Sequence, residues 1–262
     1  MYLFSCNFSP SVLSTATSGR TGCLLYLASP DSTNCLLISK NTIQKNTIQI
    51  WLNAEKLGVH MLQADREKPL QDRYWVKANV WIAVFSFIGN YFWTHYFYKL
   101  LGASYTFPAH RLNDVPLCLF LMTHAYFSFY HAIANVSIRF FQHATQRFGW
   151  ISQNVVVALW IFVLSYSTAF METLTIANFP YYSFVDRGRM YTVGSLFYAI
   201  YFFVSFPLFY RIEENPREKW TISQCTMDSL AAGMLVTMLL DFWKLGVGSI
   251  VSSSFEGGLV WI

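Results

Sequence analysis

From Asp65 onward the chain alternates long apolar runs with short polar connectors. The runs extend over about Val76 to Leu101, Val115 to Ile138, Val155 to Asn178, Thr192 to Tyr210 and Met227 to Val247. Each is near the ~20 residues that a helix needs to cross a bilayer. They are too long, and too continuously apolar, for the strands of a membrane barrel. The pattern predicts an all-α, polytopic membrane protein with about five transmembrane helices, each satisfying its own backbone hydrogen bonds in hydrocarbon.

Within each run the few polar residues recur at helical steps. Asn79, Ser86, Asn90 and Thr94 fall near one face of the first run, with His95 beside that face. His124, Ser128, His131 and Asn135 follow at steps of four, three and four in the second. Ser165, Thr168, Glu172 and Thr175 form a seam in the third, Tyr198, Tyr201 and Ser205 in the fourth, and Thr237, Asp241 and Lys244 in the fifth. On helices such steps collect the polar groups on one side, so several helices are expected to turn toward one shared polar interior. Pro207 is expected to bend the fourth helix.

Composition supports this reading. Hydrophobic residues make up 54% of the 262-residue chain, aromatics 19% and charged residues only 12%. A soluble domain typically carries about 25% charged residues to coat its surface. The net charge of +4 comes with no basic block dense enough for nucleic acid. Lys and Arg are more numerous before the first run and in the second and fourth connectors than on the opposite side. That asymmetry favours a cytosolic start and a lumenal end. Tyr74 and Trp75 read as interfacial anchors beside a mixed-charge collar. The five cysteines are scattered and match neither a disulfide framework nor a CxxC site.

Residues 1–63 differ in character. They are rich in Ser, Thr and Asn, contain tandem Lys-Asn-Thr-Ile-Gln copies from Lys40 and Lys45, and lack a sustained apolar span or a basic signal-peptide start. They are expected to be an atypical, disordered or misannotated segment. Residues 64–251 are expected to form a membrane domain, and 252–262 a short tail.

Glu172 is expected at the deepest part of its helix, where a carboxyl is tolerated only when it faces protein or water. Desolvation penalises its charged form, so it can serve there as a proton donor. A structural hydrogen bond is the equal alternative. His124 and His131 could accept or relay protons, or could be packed core histidines. Their i, i+7 spacing separates them by roughly 10 Å, too far to share one metal, and no HExxH motif accompanies them. No metal is expected. Seryl and threonyl seams also serve as helix-packing contacts. Asn79, Asn90 and Asn135 could be interhelical contacts, and Asp241 and Lys244 a local ion pair. The dense aromatic blocks would suit the walls of a rigid ring-shaped ligand and could stabilise a developing cation.

The stretch DRYWVKANVWIAVFSFIGNYFWTHYFYKLLGASYTFP at Asp72–Pro108 closely resembles the plant cycloeucalenol cycloisomerase family. So do MTH at Met122–His124 with FYH at Phe129–His131, and ETLTIANFPYYSFVDR at Glu172–Arg187. LFYAIYFFVSFP at Leu196–Pro207 and LVTMLLDFWKL at Leu235–Leu245 extend the match to about residues 65–251. Residues 1–63 do not resemble the hydrophobic sequence that precedes DRYW in the family. The resemblance implies a multi-pass isomerase of the endoplasmic reticulum membrane. It would open the cyclopropane ring of a cycloeucalenol-type sterol to give obtusifoliol, a delta-8 sterol, with no redox change and no cofactor. Such a reaction needs an acid, a cation-tolerant wall and a base. Glu172 is the expected acid and His124 or His131 the expected base. Tyr91, Trp93, His95, Asn90, Tyr198 and Asp241 are the expected substrate contacts. The implied partners are a cyclopropyl sterol and membrane lipid. The alternative is a non-catalytic sterol-binding or proton-coupled transport protein.

Overall fold

A computed structural model describes residues 65–215 and 217–251. The expectations for residues 1–63 and 252–262 lie outside the described residues. Helix α1 (Tyr74–Ile88) passes through a π-helical turn (Gly89–Trp93) into α2 (Thr94–Leu100), so the first apolar run is one helical path with an inserted wide turn. Helices α3 (Leu117–Ala144) and α4 (Trp150–Ile176) follow. A second π-helical turn (Met190–Gly194) leads into α5 (Ser195–Tyr210), and α6 (Ile222–Gly246) completes the set. Four helices among the described residues, Leu117–Ala144, Trp150–Ile176, Arg187–Tyr210 and Ile222–Gly246, are long and apolar enough to cross a membrane. The protein is therefore an all-α, multi-pass membrane protein.

Helix α5 is the centre of the packing: it lies against α3, α4 and α6, while α1 packs on α3 and α6. Its side chains are mostly buried, and the helix runs through Pro207 without ending. The outward faces of the other helices carry Leu121, Phe140, Leu159, Met234 and Leu245, all well exposed. A soluble protein rarely presents so much contiguous apolar surface, whereas a lipid-facing shell requires it.

Polar bonds register α1 and α2 against α6. The Trp81 indole donates to Asp228 (2.9 Å), Trp93 to Thr237 (2.9 Å), and the Tyr96 hydroxyl to Asp241 (2.6 Å). Between these rungs Gly233 allows close approach. A Cβ there would sit 2.6 Å from Cδ1 of Ile88. Helix α6 begins with a capping box in which Thr221 Oγ1 accepts from the Gln224 amide and the Gln224 side chain accepts from the Thr221 amide. That arrangement satisfies two amide donors that would otherwise lack partners.

The two ends of the bundle are closed differently. At one end Lys77 pairs with Glu213, Arg139 with Glu214, and Arg211 with Asp228, tying α1, α3 and α6 to the α5–α6 connector. At the other end, β1 (Ser104–Tyr105) pairs with β4 (Tyr182–Ser183) antiparallel, joining the α2–α3 and α4–α5 connectors. β2 (Arg111–Leu112) and β3 (Val115–Pro116) form a hairpin whose turn residues Asn113 and Asp114 have φ of 50° and 58°. Two successive positive φ values are those of a type I′ turn, for which Asn and Asp are suited.

Helix α4 begins at Trp150, earlier than the apolar pattern predicts, and ends at Ile176. Glu172 lies four residues from that end, about 6 Å along the axis. It sits toward the ribbon end of the bundle, not at mid-depth. The expectation of a deepest position fails because the helix starts five residues before Val155 and ends two before Asn178, which leaves Glu172 near its C-terminal end.

Candidate active site

A pocket with a cavity volume of about 90 Å³ opens where α4 and α5 meet the first π turn and the ribbon. Its polar lining includes Asn90, Thr123, Glu172, Thr173, Tyr198 and Tyr201, and its apolar walls include Phe97, Phe127 and Ile176. Both π-helical turns contribute, through Gly89 and Asn90 on one side and Met190 on the other. An inserted residue rotates the helix face that follows, and π turns recur at functional sites for this reason.

Among the described residues Glu172 is the one carboxyl group lining this pocket, and no imidazole lines it. The Tyr198 hydroxyl donates to Glu172 Oε2 at 2.8 Å, and the Tyr130 hydroxyl lies against the same carboxyl. Tyr198 in turn packs edge-on against Phe97 and Tyr201, with ring centroids 5.3 and 5.0 Å away. The carboxyl is thus held in one orientation by phenols whose rings are themselves fixed by packing. Asn90 is buried, donates to the Ser86 carbonyl (2.9 Å) and accepts from Thr123 Oγ1 (3.3 Å). Tyr105 and Tyr182, from the ribbon, stack with centroids 4.3 Å apart and close the end of the pocket. Burial pushes both of these phenols above the ordinary tyrosine range, so they remain protonated hydrogen-bonding groups.

Of the residues expected from sequence, Glu172, Asn90 and Tyr198 are brought together in the pocket, and the others are placed elsewhere. His131 is fully buried among the rings of Trp81, Phe85, Phe206 and Phe209. Its Nδ1 donates to the Phe127 carbonyl (2.7 Å), and its Nε2 accepts from Ser205 Oγ (2.9 Å). Both nitrogens are engaged within the core. His124 is half-buried and donates through Nε2 to Asn79 Oδ1 (3.1 Å), joining α3 to α1. Trp93 and Asp241 serve the α2–α6 contact, although Trp93 also packs on the pocket residue Tyr201, centroids 4.6 Å apart. Asp241 takes the Tyr96 hydroxyl instead of forming the expected ion pair with Lys244. His95 donates to the Asn113 carbonyl (3.0 Å), while Asn113 donates to the Tyr91 carbonyl (2.7 Å). Tyr91 and His95 thereby hold the β2–β3 hairpin.

Tyr105, Thr123, Tyr130, Thr173 and Tyr182 are site residues that the polar seams did not reveal. Thr173 had a signal. The buried line of α4 is Val157, Ile161, Ser165, Ala169 and Thr173, at regular steps of four, and Thr173 is its last member. The ribbon tyrosines had none, since their placement depends on pairing between connectors far apart in sequence.

No family model matches this sequence. No solved structure matches it. Cycloeucalenol cycloisomerase of Arabidopsis thaliana is 52% identical over 204 residues, covering 76% of this chain and 73% of that protein. An identity of that level, over a stretch of that length, cannot be confined to the generic hydrophobicity of membrane helices. The chain belongs to the cycloeucalenol cycloisomerase family, and it is an isomerase.

Proposed function

We propose that residues 64–251 form a sterol isomerase domain of the endoplasmic reticulum membrane that opens the cyclopropane ring of cycloeucalenol-type sterols. The observation that carries this reading is Glu172: a single carboxyl, oriented by Tyr198, facing a ring-lined pocket within a lipid-exposed bundle. The relative named cycloeucalenol cycloisomerase supports the substrate class.

In the first step the protonated Glu172 carboxyl gives its hydrogen to the methylene carbon of the three-membered ring. One strained C–C bond breaks, its electron pair forms the new C–H bond, and positive charge is left on the neighbouring ring carbon. The faces of Phe97, Phe127, Tyr198 and Tyr201 supply electron-rich surface for that charge. Loss of a proton from the adjacent carbon then forms the double bond. Among the described residues no histidine lines the pocket, which supports the Glu172 carboxylate left by the first step as the group that takes that proton. Proton count and oxidation state are both unchanged at the end.

The test is conversion of added cycloeucalenol to a delta-8 sterol by membranes containing this chain, followed by gas chromatography with mass detection. Glu172→Gln is expected to lower turnover by about 10² to 10⁴, the usual contribution of a positioned proton donor. Wild-type turnover in the Glu172→Gln protein would remove Glu172 from the chemistry.

A further inference from the structure

Two hydroxyl groups in the pocket lack partners although both residues are more than nine-tenths buried. Tyr201 is 3% exposed and Thr173 1% exposed, and neither Tyr201 Oη nor Thr173 Oγ1 has a hydrogen-bond partner among the described residues. Both residues line the same pocket as Glu172.

Neither position lacks partners through the nature of its residue type. Threonines in helices of this protein regularly donate to the carbonyl three or four residues back. Thr175 bonds Glu172, Thr226 bonds Ile222, and Thr237 bonds Gly233, all at 2.8–3.0 Å. Thr173 does not. Tyr96 bonds Asp241, Tyr198 bonds Glu172 and Tyr210 bonds Gln142. Tyr201 has no such bond, and Tyr126 Oη, which does not line the pocket, is also without a partner among the described residues. A buried hydroxyl left unpaired costs about 1–3 kcal/mol, and such groups in native proteins call for a functional reason. The two residues come from the same helices as the acid and its phenol. Thr173 follows Glu172 on α4, and Tyr201 lies one turn beyond Tyr198 on α5. The same two helices therefore present to one pocket a bonded carboxyl and phenol and an unbonded hydroxyl and phenol.

We propose that Tyr201 and Thr173 together bind the hydroxyl group of the sterol and thereby set the position of its ring system against Glu172. This rests on the sterol reading above. A single ligand hydroxyl can accept from one of these groups while donating to the other, which satisfies both. An ether oxygen at the same place could only accept, and a deoxy ring could do neither. The site thus selects free alcohols over their capped or hydroxyl-free analogues. Tyr201 and Thr173 are specificity-determining residues.

Displacement of radiolabelled cycloeucalenol tests this without depending on turnover. The measurement uses full-length protein in the Glu172→Gln background and compares unlabelled cycloeucalenol with its 3-methyl ether as competitors. The expected preference for the alcohol is about 10- to 100-fold, the scale of one or two satisfied buried hydrogen bonds. In Tyr201→Phe combined with Thr173→Val the preference should collapse to within about threefold, with affinity for the ether little changed. Tyr201→Phe alone keeps the ring packing and should show an intermediate loss if the double variant fails to fold. An unaltered preference in the Tyr201→Phe or double variant, or no preference in the parent, would overturn the assignment. Because the readout is binding, its result stands apart from whether the wild-type chain isomerises the sterol.

Discussion

The Lys77–Glu213 pair gives a prediction whose sign and asymmetry both follow from burial. Lys77 is on the first turn of α1 and its side chain is 2% exposed, whereas Glu213, in the α5–α6 connector, is 19% exposed. Neutralising Glu213 by Glu213→Gln leaves an ammonium group with almost no access to water and only a neutral acceptor. Breaking a buried pair in this way costs about 3–5 kcal/mol. Neutralising Lys77 by Lys77→Met leaves a carboxylate that can reach water, and Met fills most of the lysine volume, so the cost should fall to about 1–2 kcal/mol. The double variant, with no charge left to strand, should be at least as stable as Lys77→Met. Glutamine keeps the side-chain shape at a position whose φ is 54°, so backbone strain is the same in parent and variant. The assay is thermal unfolding of the purified protein in detergent, followed by intrinsic tryptophan fluorescence, with all variants at one scan rate. Equal losses for the two single variants, or a double variant as unstable as Glu213→Gln, would refute the reasoning.

Other variants test the placement of individual side chains. His131→Phe should destabilise the protein by about 1–3 kcal/mol, because Ser205 and the Phe127 carbonyl lose their partner. The folded fraction, measured by active-site titration, should keep its turnover number. His124→Ala should leave turnover within about twofold, since the ring bonds Asn79 outside the pocket and its removal costs one partly exposed hydrogen bond. Gly233→Ala forces its new methyl against Ile88 and should lower stability by about 1–3 kcal/mol. Adding Ile88→Val removes the Cδ1 atom that it meets and should recover part of that loss in the same unfolding assay. Thr221→Ala removes the side-chain half of the α6 capping box and should cost about 1 kcal/mol, read in the same way.

The helical architecture was legible because hydrocarbon leaves few choices: a long apolar run with internally bonded backbone is a helix. The π turns were not, since nothing in GNYFW or MYTVG departs from an ordinary apolar helix until neighbouring helices are packed on it. The site was readable in part. Glu172, Asn90 and Tyr198 stood out as polar groups on apolar faces, and they do share one pocket. The histidines stood out for the same reason, yet His131 meets Ser205 from α5, a partner that periodicity along α3 has no means of naming. A seam drawn through Ser165, Thr168, Glu172 and Thr175 passed over Thr173, because it followed polarity and not the strict four-residue line that packing selects. Tyr105 and Tyr182 belong to connectors 77 residues apart and meet only through the two-residue ladder.

The shallow position of Glu172 on α4 has a consequence for how a membrane lipid and this protein meet. An amphiphile with one alcohol at its end floats with that alcohol among the headgroups and its rings just beneath. With the ribbon end of α4 at the membrane surface, a reaction centre about 6 Å from that helix end would meet those rings near the level where they already reside. The expected route for substrate and product is then lateral diffusion within one leaflet, without passage through the middle of the bilayer.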